Sequence, residues 1–279
     1  MDLYTSNALK CAEITTKNYS TSFSMGVRTL NKKYRQAIYA VYGFVRFADE
    51  IVDTFHDQDK EGLLRDFRQQ TYDAIKKGMS TNPILHAFQW AVNEYHIDRE
   101  LIDAFLYSME MDLYKKSFSL EEYQRYIYGS AEVVGLMCLR VFYVDRDEEY
   151  RELLEPARKL GEAFQKVNFL RDMRSDLKER GRVYFPEVDM DNFSAGDKSK
   201  IEREIWDDFQ AAFPGVKSLD KEVRLGVYLA YRYYLELLRK IQSVSAGEVQ
   251  QQRFRVSNSH KLILLVKCYL RNKFGWINR

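Results

Sequence analysis

Apolar residues recur at helical spacing along nearly the whole chain, and little interrupts them. The 279 residues include only 13 glycines and 4 prolines. We find no convincing alternation of apolar and polar residues followed by a hairpin turn, and no linker of low complexity. With 46% apolar and 14% aromatic residues, the chain can build a large core and line an apolar pocket. The pattern predicts an all-α bundle forming one domain over residues 1–279.

Local signals predict where several helices begin and end. Ser119 and Glu122 form a capping box, whereas Ser24–Asn31 is expected to be a loop. Pro214 is expected to end a short helix. The longest irregular stretch, Leu177–Lys198, contains the aromatic segment 181–186. Loops of this length are usually functional or disordered.

The most informative helix contains Gln165–Asp176. At about 100° per residue, one polar stripe forms between apolar residues, and Lys159, Glu162 and Lys166 are expected to face outward. Carboxylates at i and i+4 lie about 5 to 6 Å apart and repel weakly in water, so an exposed pair is the simpler interpretation. A polar stripe flanked by apolar residues on both sides instead indicates that this face of the helix lines a cavity. The residues of the polar stripe are Gln165, Asn168, Asp172 and Asp176.

A second acid pair lies upstream and makes the cavity interpretation stronger. Arg46, Asp49 and Asp53 cluster beside the apolar stripe of a helix expected from about Lys32 to Phe55. Two pairs facing one cavity would repel unless hard cations lie between them. Mg²⁺ suits such a site because it binds one or two carboxylates together with phosphate oxygens. The acid pairs therefore predict a diphosphate substrate.

The chain resembles the squalene/phytoene synthase family, the head-to-head prenyl diphosphate synthases. Six segments carry the resemblance in the family's order: SFSMGVRTL at 22–30, YRQAIYAVYGFVRFADEIVD at 34–53, YIYGSAEVVG at 126–135, LGEAFQKVNFLRDMRSD at 160–176, GRVYFP at 181–186 and YRYYLELL at 231–238. The resemblance implies an isoprenoid-synthase-type bundle around an apolar cavity. It also implies a prenyltransferase that forms a cyclopropyl diphosphate and rearranges it to a linear hydrocarbon. Phytoene from two geranylgeranyl diphosphates is the expected product, with squalene or dehydrosqualene from farnesyl diphosphate as the alternative.

The resemblance also assigns roles to residues. Segment 181–186 is expected to close over the site, and Gly129 and Gly135 either allow close helix packing or leave room for a prenyl chain. The expected Mg²⁺ ligands, with Mn²⁺ possible in its place, are Asp49, Asp53, Asn168, Asp172 and Asp176. The four aspartates, Tyr126 and Arg171 are the expected catalytic residues. The expected substrate-binding residues are Ser22, Phe23, Arg46, Gln165, Asn168, Ala131, Val134, Gly135, Tyr184 and Tyr234.

Other functional classes remain open at this stage. Some relatives of the family are non-catalytic assembly factors that lose acidic residues, but all four aspartates are present here. Chain-elongating prenyltransferases and terpene cyclases also use acidic helices, but without the QxxNxLRD and YxYGxAxxVG patterns. A nicotinamide cofactor is expected only if the product is squalene.

The last segment, 249–279, is basic and apolar. It contains no Asp or Glu, although the net charge of the chain is only +2. Such a helix either packs on the bundle or contacts an anionic membrane surface, and we favour the membrane. Nucleic acid is not expected as a partner because the cleft is acidic. No secretory signal is recognised, and Cys11, Cys138 and Cys268 lack metal spacing, so a reducing cytoplasm is the expected location.

Overall fold

The computed structural model describes residues 1–277, and this range is built from helices. The all-α prediction is confirmed, because the only β-type pairing in the described range is an isolated bridge between Ser117 and Val183. The α-helices are α1 (Leu3–Tyr19), α2 (Thr21–Thr29), α3 (Lys32–Asp53), α4 (Lys60–Lys77), α5 (Pro83–Tyr95), α6 (Arg99–Tyr114), α7 (Leu120–Ile127), α8 (Val133–Phe142), α9 (Asp147–Ser175), α10 (Ala195–Ser218), α11 (Lys221–Gln242), α12 (Ala246–Val249) and α13 (Asn258–Lys273). Two π-helical turns, Tyr128–Glu132 and Asp176–Arg180, continue α7 into α8 and extend α9.

Capping residues fix many of the helix ends. The Ser119 hydroxyl accepts from the Glu122 amide and the Glu122 carboxylate accepts from the Ser119 amide, so the expected capping box is confirmed. Pro83 is the first residue of α5, where its missing N–H costs nothing. Gly78 ends α4 in the left-handed conformation, with φ of 67°.

Two predicted boundaries were wrong. The expected loop Ser24–Asn31 is mostly helix α2, because Ser20 caps the Phe23 amide and both Ser24 and Val27 are buried. Pro214 does not end a helix but lies inside α10. The next residue, Gly215, packs so closely on Pro156 of α9 that an added Cβ would lie 2.3 Å from the Pro156 Cβ. This tertiary packing offsets the cost of a proline inside a helix.

The buried apolar residues form two clusters. The first joins α1, α3, α5, α6 and α8 and includes Phe44, whose ring stacks on Phe88 at a centroid distance of 3.8 Å. The second joins α9, α10, α11 and α13. A cavity lined by residues of both clusters lies between them.

The face of α9 that was expected to be outward is covered by α10. Lys166 is only 6% exposed, and its Nζ lies 2.7 Å from both Glu162 Oε1 and Asp208 Oδ2. Lys159 reaches the same Asp208 carboxylate at 3.1 Å. Two acids thus compensate two buried or half-buried lysines, which is how charged residues are accommodated between packed helices.

Candidate active site

A cavity of about 480 Å³ lies between the two apolar clusters. This volume is within the range of small-molecule sites, which are typically several hundred cubic ångströms. The cavity is walled by α2, α3, α8, α9, α10 and α11. Among the residues predicted to form the site, its lining includes Ser22, Phe23, Asp49, Tyr126, Ala131, Val134, Gly135, Gln165, Asn168, Arg171 and Tyr234.

The polar lining is concentrated at one end of this cavity. Along α9, the lining begins at Arg171 and continues to Leu153 through mainly apolar or small residues. At a rise of about 1.5 Å per residue, this stretch of α9 is about 27 Å long. Leu153 is the last lining residue of α9 in this direction, and the apolar Phe142 and Leu219 also line the cavity. The cavity therefore combines a charged mouth with a long apolar interior.

The acid pairs of α3 and α9 meet at the charged end. Arg180 contacts both helices, with its guanidinium 3.4 Å from Asp53 Oδ2 and 2.9 Å from Asp176 Oδ1. Arg182 adds a contact of 3.0 Å to Asp53 Oδ1. The two predicted acid pairs thus face each other closely enough for one arginine to bridge them.

Asp172 is paired with cations from two parts of the chain. Arg171 Nε donates to Asp172 Oδ2 at 3.0 Å. Arg253, in the connection between α12 and α13, places its Nε 2.7 Å from Oδ1. This is an ion pair without a directed hydrogen bond, because Oδ1 is buried and accepts no hydrogen bond. One carboxylate oxygen is therefore left with unused acceptor capacity.

Burial changes the titration of two of the acids. It raises the pKa of Asp49 to about 7, with a smaller contribution from the neighbouring carboxylates of Asp53 and Asp112 against the opposing charge of Arg46. It also raises the pKa of Asp176 to about 6, although Arg180 opposes this shift. For both carboxyl groups, burial disfavours the charged form by more than the neighbouring arginines favour it.

A buried carboxylate that the sequence analysis missed, Asp112 of α6, lies beneath the acid site. Its Oδ2 accepts from the Tyr126 hydroxyl at 2.8 Å and its Oδ1 from the Tyr184 hydroxyl at 3.1 Å. Arg182 donates to its backbone carbonyl at 2.8 Å. The signal was present in the sequence, because Asp112 follows the buried Phe105 and Met109 at helical spacing.

The remaining predicted residues contact one another or the acids at the charged end of the cavity. The Tyr234 hydroxyl donates to Asn168 Oδ1 at 3.2 Å, and Asn168 donates to Gln165 Oε1 at 3.2 Å. Arg46 pairs with Glu50 and lies 4.0 Å from Asp49 Oδ2. Tyr184 is buried beside the cavity, with its ring stacked on Phe169 at 4.2 Å.

The two glycines of the 126–135 segment have different roles. An added Cβ at Gly129 would lie 2.4 Å from the carbonyl oxygen of Ala104, so this position requires glycine for close helix packing. At Gly135 an added Cβ would be 3.4 Å from the Ala157 oxygen, which is ordinary contact, and Gly135 lines the cavity. Close helix packing therefore accounts for the glycine at position 129, whereas the glycine at position 135 leaves space in the cavity.

The acid site fits a divalent cation, although its ligands are dispersed. Across residues 1–277, no three Asp, Glu, His or Cys side chains converge into a ready-made metal site. The buried, unused Oδ1 of Asp172 and the desolvated carboxyls of Asp49 and Asp176 nevertheless offer hard oxygen ligands. Such ligands are the ones that Mg²⁺ prefers when phosphate oxygens complete its coordination.

Comparison with known proteins agrees with this fold. The Squalene/phytoene synthase family model matches residues 16–260. The chain is 27% identical over 286 residues to the 15-cis-phytoene synthase of Synechocystis, covering 94% of this chain and 84% of that protein. It is 25% identical over 281 residues to phytoene synthase 3 of Zea mays, covering 94% of this chain but only 65% of the maize protein.

A solved structure also resembles the whole chain. A dehydrosqualene synthase crystallised in complex with a ligand superposes with a TM-score of 0.81 at 25% identity, covering 96% of this chain and 98% of that one. Members of the family that the matching model describes are prenyltransferases. The chain belongs to the squalene/phytoene synthase family.

Proposed function

We propose that this protein condenses two geranylgeranyl diphosphates head to head to form phytoene through a cyclopropyl diphosphate intermediate. The observation that carries the choice of substrate is the length of the cavity. An extended chain advances about 1.2 Å per bond, so the main chain of a geranylgeranyl group is roughly 18 Å long and that of a farnesyl group roughly 13 Å. The lined stretch of α9, about 27 Å long, has room for the longer chain.

The residues at the charged end would bind the diphosphates. Asp49, Asp53, Asn168, Asp172 and Asp176 are the side chains that would hold Mg²⁺. When bound, the ion supplies Lewis-acid assistance to the departure of diphosphate. Arg171 lines the same end of the cavity, where its fork of N–H donors suits phosphate oxygens. With Mg²⁺ bound, the carboxylates would hold the leaving group through the ion and Arg171 would contact it directly, which keeps it at the charged end of the cavity.

The cavity wall next to the acids is suited to the allylic cation that remains. Phe23 stacks on Tyr42 at a centroid distance of 4.6 Å, and Tyr234 stacks on Phe164 at 4.0 Å. Aromatic faces stabilise a desolvated cation by on the order of 2 kcal/mol. Tyr126 is only 3% exposed and lines the same wall. This surrounding apolar wall excludes water, which would otherwise quench the cation.

Farnesyl diphosphate as the substrate, giving dehydrosqualene or squalene, is the second candidate. It is favoured by the structural match to a dehydrosqualene synthase over nearly the full chain. A shorter chain also fits the cavity, so preference between the substrates has to be measured.

Peripheral membrane contact through α13 forms a further part of the proposal. Leu262, Val266 and Tyr269 are each at least half exposed, at 60%, 51% and 50%, and their spacing places them on one face of the helix. By the same spacing Lys273 lies on this face, whereas Lys267 and Arg271 lie about 100° and about 140° around the helix from Val266, and Arg279 is outside the described residues. No helix of the described range is long and apolar enough to cross a membrane. A basic helix with an exposed apolar face suits an anionic lipid surface.

The test is product identification. Purified protein is incubated with Mg²⁺ and either geranylgeranyl or farnesyl diphosphate, with and without NADPH, and the hydrocarbon is identified by mass spectrometry. We expect phytoene from geranylgeranyl diphosphate without NADPH. Asp172→Asn should lower diphosphate release by about a hundredfold or more, since metal-site substitutions commonly cost 10–100-fold even beyond the ligands themselves. Asp207→Asn, at an exposed position of α10, is the matched control. No diphosphate release with either substrate would eliminate the enzymatic function.

A further inference from the structure

We propose that Asp112 is a positioning residue that latches the loop of residues 181–186 over the acid site and thereby delivers Arg182 to Asp53. This inference rests on the proposed function, in which Asp53 helps to bind diphosphate. Asp112 is not itself a lining residue of the cavity, although it accepts a hydrogen bond from the lining residue Tyr126, so it would act through the groups it holds.

The hydrogen bonds and the ion pair of the Asp112 carboxylate support this role. Its two carboxylate oxygens accept hydrogen bonds from different tyrosines, Tyr126 of α7 and Tyr184 of the loop. Arg182 Nη1 lies 3.5 Å from Asp112 Oδ1 and also donates to the Tyr184 hydroxyl at 3.3 Å. The side chain of Asp112 is only 5% exposed. A single buried carboxylate thus holds a cavity-wall tyrosine and two residues of the loop.

Arg182 connects Asp112 to the acid site. One nitrogen, Nη2, donates to the Asp112 carbonyl oxygen at 2.8 Å, and the other, Nη1, donates to Asp53 Oδ1 at 3.0 Å. Because the guanidinium is planar and rigid, anchoring one nitrogen fixes the direction of the other. Arg182 is 8% exposed, so it has few alternative positions. The geometry therefore couples the loop to the acid pair of α3.

The backbone of the loop is tied to the same region. The Val183 amide donates to the Lys116 carbonyl at 2.7 Å, and the Arg182 amide donates to the Asp176 carbonyl at 2.8 Å. Lys116 follows α6 by two residues, so the backbone contact and the Asp112 contacts hold the loop against the same helix end. Phe185 is buried at 6% exposure and completes the attachment with apolar contact.

Asp112→Asn tests the latch. Asparagine offers one acceptor oxygen instead of two and no charge for Arg182. Hydrogen bonds to charged groups are worth about 1.5–3 kcal/mol, so we expect amide exchange at Val183 to accelerate by roughly ten- to a hundredfold. Exchange is followed by mass spectrometry of peptides covering 181–186. Asp208→Asn is the matched control, because Asp208 is another buried carboxylate but pairs with Lys159 and Lys166.

Kinetics distinguish positioning from general destabilisation. We expect Asp112→Asn to lower kcat/KM for diphosphate release, and we expect no further loss when it is added to Arg182→Gln, because both changes break one coupled arrangement. Val183 exchange that is equal in Asp112→Asn and wild type, or losses that simply add, would overturn the proposal. A wild-type protein that releases no diphosphate would refute the proposed function, whereas the exchange comparison would still decide whether Asp112 holds the loop.

Discussion

Arg253 Nε lies 2.7 Å from Asp172 Oδ1, although the two residues belong to the α12–α13 connection and to α9. The contact brings the basic C-terminal segment into the acid site. Arg253 is half exposed while Asp172 is mostly buried, with side-chain exposures of 52% and 17%. We therefore expect Arg253 to act as a replaceable counter-ion for a carboxylate that is proposed to bind a metal.

Replacing Arg253 is expected to strengthen metal binding in the absence of substrate. In Arg253→Gln, Asp172 loses a positive neighbour, and the affinity for Mg²⁺ should rise by about fivefold at most, because an exposed ion pair is worth up to about 1 kcal/mol. Isothermal titration calorimetry with Mg²⁺ alone measures the change. Arg255→Gln, at an exposed position two residues away, is the control. Weaker Mg²⁺ binding by Arg253→Gln would contradict the counter-ion role.

The metal-free protein is expected to lose stability as pH rises. Burial raises the pKa of Asp49 from 3.8 to about 7, so between these values the folded protein binds more protons than the unfolded chain. Its free energy of unfolding then falls with rising pH through this window. Thermal unfolding in EDTA, from about pH 5 to about pH 8, should show a shallower decline for Asp49→Asn than for wild type.

Mg²⁺ should act in the opposite direction across the same window. Metal ligands must be deprotonated, so binding strengthens as pH rises. The increase in Tm caused by Mg²⁺ should therefore be larger at the alkaline end.

The metal-free experiment has its own contrary outcome. If Tm in EDTA fell with pH at the same slope in wild type and in Asp49→Asn, Asp49 would not titrate in this range.

Chain-length preference is expected to respond to the depth of the cavity. Leu160 lines the apolar part of the cavity, about 17 Å along α9 from Arg171 at the helical rise, which is deeper than a farnesyl chain reaches and within the length of a geranylgeranyl chain. Leu160→Trp should lower kcat/KM for geranylgeranyl diphosphate by about tenfold, which corresponds to 1.4 kcal/mol, and affect farnesyl diphosphate much less. Competition between the two substrates measures the ratio. Glu155→Trp, on the exposed side of α9, controls for the added ring, and an unchanged ratio in Leu160→Trp would refute the role of depth.

Membrane contact is expected to depend on the exposed apolar face of α13. Leu262→Asp with Val266→Asp places two charges on residues that are 60% and 51% exposed, so folding should be retained. Flotation with vesicles containing phosphatidylglycerol should recover wild type but little of this variant, and added salt should weaken the binding. Leu3→Asp, at an apolar position of α1 that is 77% exposed, is the control. Equal flotation of wild type and the double variant would exclude α13 as the site of membrane contact.

Helical periodicity predicted the fold class, and a helical projection assigned Asp49, Gln165 and Asn168 to faces that line the cavity. Asp53 and Asp176 are not among the lining residues, and Arg180 contacts both of them. The projection failed at Lys166, because a helix wheel cannot show that Asp208 of another helix neutralises the lysine. It also failed at α2, where Ser20 supplies a cap that was not recognised.

Long-range partners were the part of the site that periodicity could not provide. Asp112 carries a visible signal as an acid on the buried face of α6, but its tyrosine and arginine partners are set by tertiary structure. Arg253 carries no local signal, since its contact with Asp172 depends on how the chain returns after α12. Arg180 and Arg182 follow the second acid pair closely in sequence, yet their contacts with Asp53 become evident only in three dimensions.

The π-helical turn Tyr128–Glu132 separates cavity-lining Tyr126 from cavity-lining Val134. A π-turn accommodates an additional residue without interrupting the helix. Deleting one residue here would rotate everything that follows by about 100° around the helix axis, turning Val134 and Cys138 away from the hollow they now border. The number of residues between Tyr126 and Val134 is therefore as strict a requirement on this enzyme as the chemical identity of either side chain.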